Sequence, residues 1–128
     1  MGQPAAKQND RVMAMDIHII ISAALGVPVS VPHPFAGVLD GNLCSTVKIM
    51  GLPAATVGST ASNMPPHIPI GGSFSKPPTN KGTIVTGSAT VMIGGKQAAR
   101  AGDSAMTCND PVDLPNGKVV AVGTVLIG

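Results

Sequence analysis

The chain has 128 residues, a net charge of +2 and only 2% aromatic residues. That length suits one domain better than two, and Leu, Ile, Val and Phe make up about a quarter of it, above the ~20% below which chains stay disordered. The few scattered basic residues and the lack of Trp and Tyr exclude a nucleic-acid groove, which needs clustered cations and stacking rings.

Sixteen glycines and twelve prolines run through the whole chain. Both break helices and punctuate turns, so they predict many short strands and an all-β fold. With Phe35 and Phe74 as the only aromatic residues, the core must be built from small β-branched side chains. A core that thin calls for a staple, such as a metal or a partner surface. In chain order, an apolar run from Ile17 to Val31 follows Asp16 and is cut by Pro28. It is shorter than the about 20 residues of a spanning helix and does not have the form of a cleaved leader. The expectation is a protein made in the cytoplasm and exported by another route.

Repetition comes next. Thr46-Val47-Lys48-Ile49, a glycine turn, Ala54-Ala55 and Gly58-Ser59 recur 44 residues later as Thr90-Val91-Met92-Ile93, a glycine turn, Ala98-Ala99 and Gly102-Asp103. Alternating Thr-Val-x-Ile reads as a half-buried strand, and the glycine after it suits a tight turn. A third copy is divided: Thr124-Val125-Leu126-Ile127-Gly128 supplies its first half, and Gly2-Gln3-Pro4-Ala5-Ala6-Lys7-Gln8-Asn9-Asp10 its second. Joined, the halves predict a closed ring of three equivalent units over residues 1–128, with the seam inside one unit. Approximate threefold symmetry in a single chain points to the end of a homotrimer as its partner.

The strings Pro4-Ala5-Ala6-Lys7, Pro53-Ala54-Ala55-Thr56 and Gln97-Ala98-Ala99-Arg100 resemble the proline-alanine-alanine-arginine motif of the PAAR-repeat family. Thr107-Cys108 and the closing Val-Val-Ala-Val-Gly-Thr-Val-Leu-Ile-Gly add to the likeness; Lys7 and Thr56 in place of Arg, and Gln97 in place of Pro, depart from it. The resemblance implies a small pointed β cone of three pseudo-threefold units, with a zinc ion near its point bound by histidines and a cysteine. It also implies a structural spike-tip protein of a type VI secretion system or related contractile injection machine. Such a tip caps a trimeric VgrG-type spike, sharpens it for membrane piercing, links effectors to it and is delivered through the machine.

Spacing bears on the metal. The three histidines are His18, His33 and His67. His18 lies eight residues after Asp10, His67 eight after Ser59 and Cys108 five after Asp103, so each unit is followed by one zinc-type donor. His33 supplies a fourth, and His18, His33, His67 and Cys108 together match a closed structural zinc site, one ion per chain. Pro32-His33-Pro34 and Pro65-Pro66-His67 hold their histidines in stiff extended segments. Cys44 is the rival sulfur. Asp16 is read as an outer acceptor or a turn residue.

An enzyme is not expected: the chain contains no Glu, no His-Glu-x-x-His and no phosphate loop. The predicted partner-binding residues are Thr46, Val47 and Ile49, Thr90, Val91 and Ile93, and Thr124, Val125 and Ile127, whose strand edges can extend the trimer's β structure. Two further readings stand beside this one. In the first, the chain is the N-terminal delivery module of a larger Rhs-type or other toxin; in the second, it recruits effectors through the 70–81 loop.

Overall fold

The computed structural model describes residues 2–128, and every regular element among them is a β-strand. Two long strands, β2 (Arg11–Ser22) and β3 (Pro28–Gly41), form a hairpin in which Arg11 faces Val38 and Ile21 faces Pro28. Side chains alternate across a strand, so Val12, Asp16, His18 and Ile20 of β2 turn inward and are buried, as are His33, Phe35 and Leu39 of β3. The apolar run beginning at Ile17 is therefore the far half of this hairpin. Pro28, Pro32 and Pro34 face Ile21, Ile17 and Met15. Lacking an N–H, they fit only the pairs that exchange no hydrogen bonds. The outer edge of β3 then offers no donor at those positions, which discourages pairing with another chain.

Four shorter strands complete a barrel: β6 (Thr60–Asn63), β8 (Lys81–Ile84), β11 (Ser104–Thr107) and β12 (Leu114–Val120). The order β2-β3-β6-β8-β11-β12 closes on itself because β12 pairs with the start of β2, Lys118 opposite Met13. The other end of β2 pairs with β7 (Gly72–Phe74), so part of the expected 70–81 loop is strand.

Three small hairpins stand apart from the barrel. They are β4 (Cys44–Ile49) with β5 (Leu52–Ala54), β9 (Met92–Ile93) with β10 (Lys96–Gln97), and β13 (Leu126–Ile127) with β1 (Gln3–Pro4). Regular pairing in the second and third units is shorter than the predicted four-residue strands. Ile49, Ile93 and Ile127 point inward and pack with Ala5, Ala54 and Ala98 in a core layer of their own. Thr46, Thr90, Thr124 and Val125 are exposed, and Val47 and Val91 are half-buried.

A cycle of backbone hydrogen bonds ties the units together. Ala6 N–H donates to Ala99 O at 3.0 Å, Ala99 N–H to Ala55 O at 3.1 Å, and Ala55 N–H to Ala6 O at 3.0 Å. Bridges Ala5–Arg100, Lys7–Ala54 and Thr56–Ala98 repeat the same cycle one residue to either side. The three central alanines are fully buried, which explains why the motif keeps Ala there: a longer side chain has no space at the axis. Each unit then turns. The N–H groups of Asp10, Ser59 and Asp103 donate to the carbonyls of Lys7, Thr56 and Arg100, with Asn9, Gly58 and Gly102 at positive φ. The Asp10, Ser59 and Asp103 side chains accept the N–H of Lys7, Thr56 and Arg100 at 3.0, 2.9 and 2.8 Å, so a short acceptor side chain must end each unit.

The strands converge through Gly37, Gly82 and Gly117, each two residues before a buried Leu39, Ile84 or Val119. A Cβ on Gly37 would lie 2.6 Å from the Phe35 ring, and one on Gly117 would lie 2.9 Å from Val12. Hydrogen in place of a side chain lets the barrel close around Phe35, its one large ring. The product is a small closed all-β barrel joined to the closed ring of three units that the repeats predict.

Candidate metal centre

Beyond Phe35 the interior turns polar. Asp16 and His33 face each other across the β2–β3 hairpin, and His18 is the next inward residue of β2. His67 arrives from the segment after β6, and Cys108 directly follows β11. Asp16, His18, His67 and Cys108 are all buried, and one donor atom from each lies within 4.8 Å of the others. Asp16 Oδ2 is 3.1 Å from His67 Nε2 and 3.5 Å from Cys108 Sγ, and that sulfur is 3.8 Å from His18 Nε2.

His33 borders this group without belonging to it: its ring centroid lies 5.4 Å from that of His18 and 5.7 Å from that of His67. Its Nδ1 donates to Val31 O at 2.9 Å, leaving a lone pair on Nε2 that is buried and unpartnered. A backbone carbonyl fixing the tautomer in this way is the usual support of a metal-binding imidazole. His18 Nδ1 is also without a hydrogen bond; Asp110 Oδ2 is its neighbour at 3.5 Å, poorly aimed.

Backbone and side-chain contacts hold each donor. Asp110 Oδ2 accepts Ile19 N–H at 2.9 Å and Asn109 Oδ1 accepts Ile17 N–H at 2.7 Å, so the segment after Cys108 runs along β2 and fixes His18. Asn80 Oδ1 accepts His67 N–H at 2.8 Å. The Thr107 hydroxyl donates to Asp16 Oδ1. Burial pushes the Cys108 thiol up to about 11, the nearby Asp16 charge adding to it. Burial and then His67 lower the pKa of His18. Without a cation the site thus disfavours both a thiolate and an imidazolium.

Of the residues expected from spacing, His18, His67 and Cys108 come together, and His33 stands beside them. Cys44 does not take part: its sulfur is 3.3 Å from the Thr46 hydroxyl and packs against Gly94, among the hairpins. Asp16 is the member that spacing from the repeats missed. Its signal was present, since Asp16 and His18 are two apart on a strand and must share a face.

A small closed all-β barrel with buried imidazoles, a thiol and a carboxylate near one end carries a group of side chains that could hold a metal. The family model described as PAAR motif matches residues 74–128, from β7 to β13, and this match supports the PAAR-repeat resemblance. No curated protein and no solved structure matches. Among the described residues, no helix is long and apolar enough to cross a membrane.

Proposed function

We propose that the protein is a structural, non-catalytic spike tip, a single domain over residues 1–128. Its hairpin end seats on a trimeric VgrG-type spike, one chain per trimer, and its metal end leads into the target membrane. The PAAR motif supports a spike-tip role related to type VI secretion in general. The observation that carries the finer reading is the hydrogen-bond cycle of Ala6, Ala99 and Ala55. A monomer whose frame repeats three times around an axis is complementary to a threefold end, and one copy fills it. Thr46, Thr90 and Thr124 are exposed around the hairpin end, and Met92 and Leu126, at equivalent positions, are 58% and 59% exposed. That rim gives the spike an apolar contact as well as strand edges. Such a tip is assembled in the cytoplasm, leaves through the injection machine and links effectors to the spike.

The metal in this reading is one structural zinc ion, which suits imidazole and thiolate donors. His18, His33, His67 and Cys108 hold it, with the Asp16 carboxylate, 3.1 Å from His67 Nε2, as an outer acceptor. The residues fit a cation. Among the described residues Asp16 is fully buried with no Lys or Arg in contact, and two imidazole nitrogens lack partners. When bound, zinc cross-links β2 and the segments after β6 and β11, contributing on the order of 10 kcal/mol to folding.

The test is co-purification with a trimeric VgrG-type spike. A Met92→Asp, Leu126→Asp double variant should lose the spike and keep its metal; full spike binding by that variant would overturn the docking face.

A further inference from the structure

We infer that the side chain the spike sets against the exposed face of each hairpin is aromatic. The inference rests on the docking reading above and names the chemistry of that contact. Lys48, Met92 and Leu126 form one ring of equivalent positions. Each precedes an inward isoleucine, Ile49, Ile93 or Ile127, and each pairs with the residue before a buried alanine, Pro53, Gln97 or Pro4. All three are exposed, Met92 and Leu126 by 58% and 59%. The residues opposite the isoleucines, Leu52, Lys96 and Gln3, differ among themselves in the same way. Among the described residues neither Lys48 nor Lys96 makes an ion pair.

A homotrimer presents one residue type three times. A single partner side chain must therefore suit an ammonium on an aliphatic stem, a thioether and a branched alkyl group. A carboxylate suits Lys48 alone and is desolvated without a partner against Met92 and Leu126. An aliphatic side chain suits Met92 and Leu126 but strips water from the Lys48 ammonium with nothing in return. An aromatic ring accepts all three: its face attracts the ammonium, the thioether packs against it, and its apolar surface covers the leucine. The chain does not bring such rings itself. Trp and Tyr are absent, Phe35 fills the barrel, and Phe74 lies against His18 and His33 near the metal centre. Well-packed interfaces draw much of their contact from aromatic side chains, and here the spike is the partner that has to supply them.

Complex formation with a trimeric VgrG-type spike tests this in two ways. With methyl-labelled wild-type protein, ring currents should move the Met92 and Leu126 methyl resonances upfield on binding. A complex that forms without those upfield shifts overturns the inference and leaves the docking face standing. Lys48→Met and Met92→Lys, made singly, should each change Kd by less than about fivefold, since cation–π and sulfur–aromatic contacts are of similar strength. A carboxylate on the spike would instead make Lys48→Met lose, and Met92→Lys gain, more than about tenfold, and an aliphatic contact would do the reverse; either pattern overturns the inference. Wild-type protein that binds no such spike overturns the docking reading itself, and this inference with it.

Discussion

Replacing Gly37, Gly82 and Gly117 one at a time by Ala should destabilise the fold in an order set by distance. None of the three has a positive φ, so alanine meets no backbone obstacle and the effect is one of packing. At Gly37 the new methyl falls 2.6 Å from the Phe35 ring and 2.9 Å from the Ala61 Cβ, two rigid groups inside a closed barrel. Overpacking of that kind costs about 1–3 kcal/mol, and the stiffer unfolded chain returns about 0.4–1 kcal/mol. At Gly117 the nearest atoms are methyl ends of Val12 and Thr107 at 2.9 and 3.0 Å, with Ala105 O at 3.1 Å, so part of the clash can relax. At Gly82 the nearest atom is 3.3 Å away, and the two effects should nearly cancel. For a chain of this length about 1 kcal/mol corresponds to roughly 4 °C in Tm. Thermal melts in chelator, to remove any metal contribution, should therefore show Gly37→Ala losing about 4–8 °C, Gly117→Ala less, and Gly82→Ala about none. Adding Phe35→Leu to Gly37→Ala should make the second change cheaper than in the wild type. Equal losses at the three sites, or Gly82→Ala as the worst, would refute a barrel closed around Phe35.

Other outcomes follow from the site and the seam. His18→Ala, His67→Ala and Cys108→Ser should each lower zinc affinity by more than ~100-fold, beyond what removal of a merely supporting group costs, while Cys44→Ser leaves it unchanged by metal titration. Metal-free protein should be most stable between pH 6.5 and 9 in urea melts. Below the ordinary 6.5 of histidine the unfolded chain takes a proton that folded His18 resists, and above the ordinary 9.0 of cysteine it loses one that folded Cys108 keeps up to about 11. Zinc should abolish the alkaline loss, because the bound sulfur is already deprotonated; a metal-free curve flat across both ranges would contradict the burial argument. Deleting Thr124–Gly128 removes the partner of β1, the Val125 carbonyl that accepts Ala5 N–H at 2.9 Å, and buried Ile127. Burial of that isoleucine alone is worth about 1.5–3 kcal/mol, so a Tm within a degree or two of wild type would mean that the β13–β1 hairpin contributes nothing.

The repeats made the frame legible because close packing at the axis leaves little choice of residue. Alanine is required at 6, 55 and 99, and a short acceptor at 10, 59 and 103. Counting from those anchors then led to His18, His67 and Cys108. What the count could not reach was the register of the β2–β3 hairpin, which depends on the turn between Ser22 and Pro28 and sets Asp16 against His33. The inward glycines were also overlooked, although Gly-x-Leu, Gly-x-Ile and Gly-x-Val recur before each anchor strand's partner. Their meaning appears only when Phe35 is seen to fill the barrel. The isoleucines at 49, 93 and 127 read as partner-facing because a half-buried strand has two faces, and sequence alone does not say which one the core takes.

The central claim is that one pseudo-threefold chain completes one threefold end. The direct measurement is the mass of the complex formed with a trimeric VgrG-type spike under native conditions. A mass of three spike chains plus a single copy of this protein is the predicted result, and three copies per trimer would contradict it.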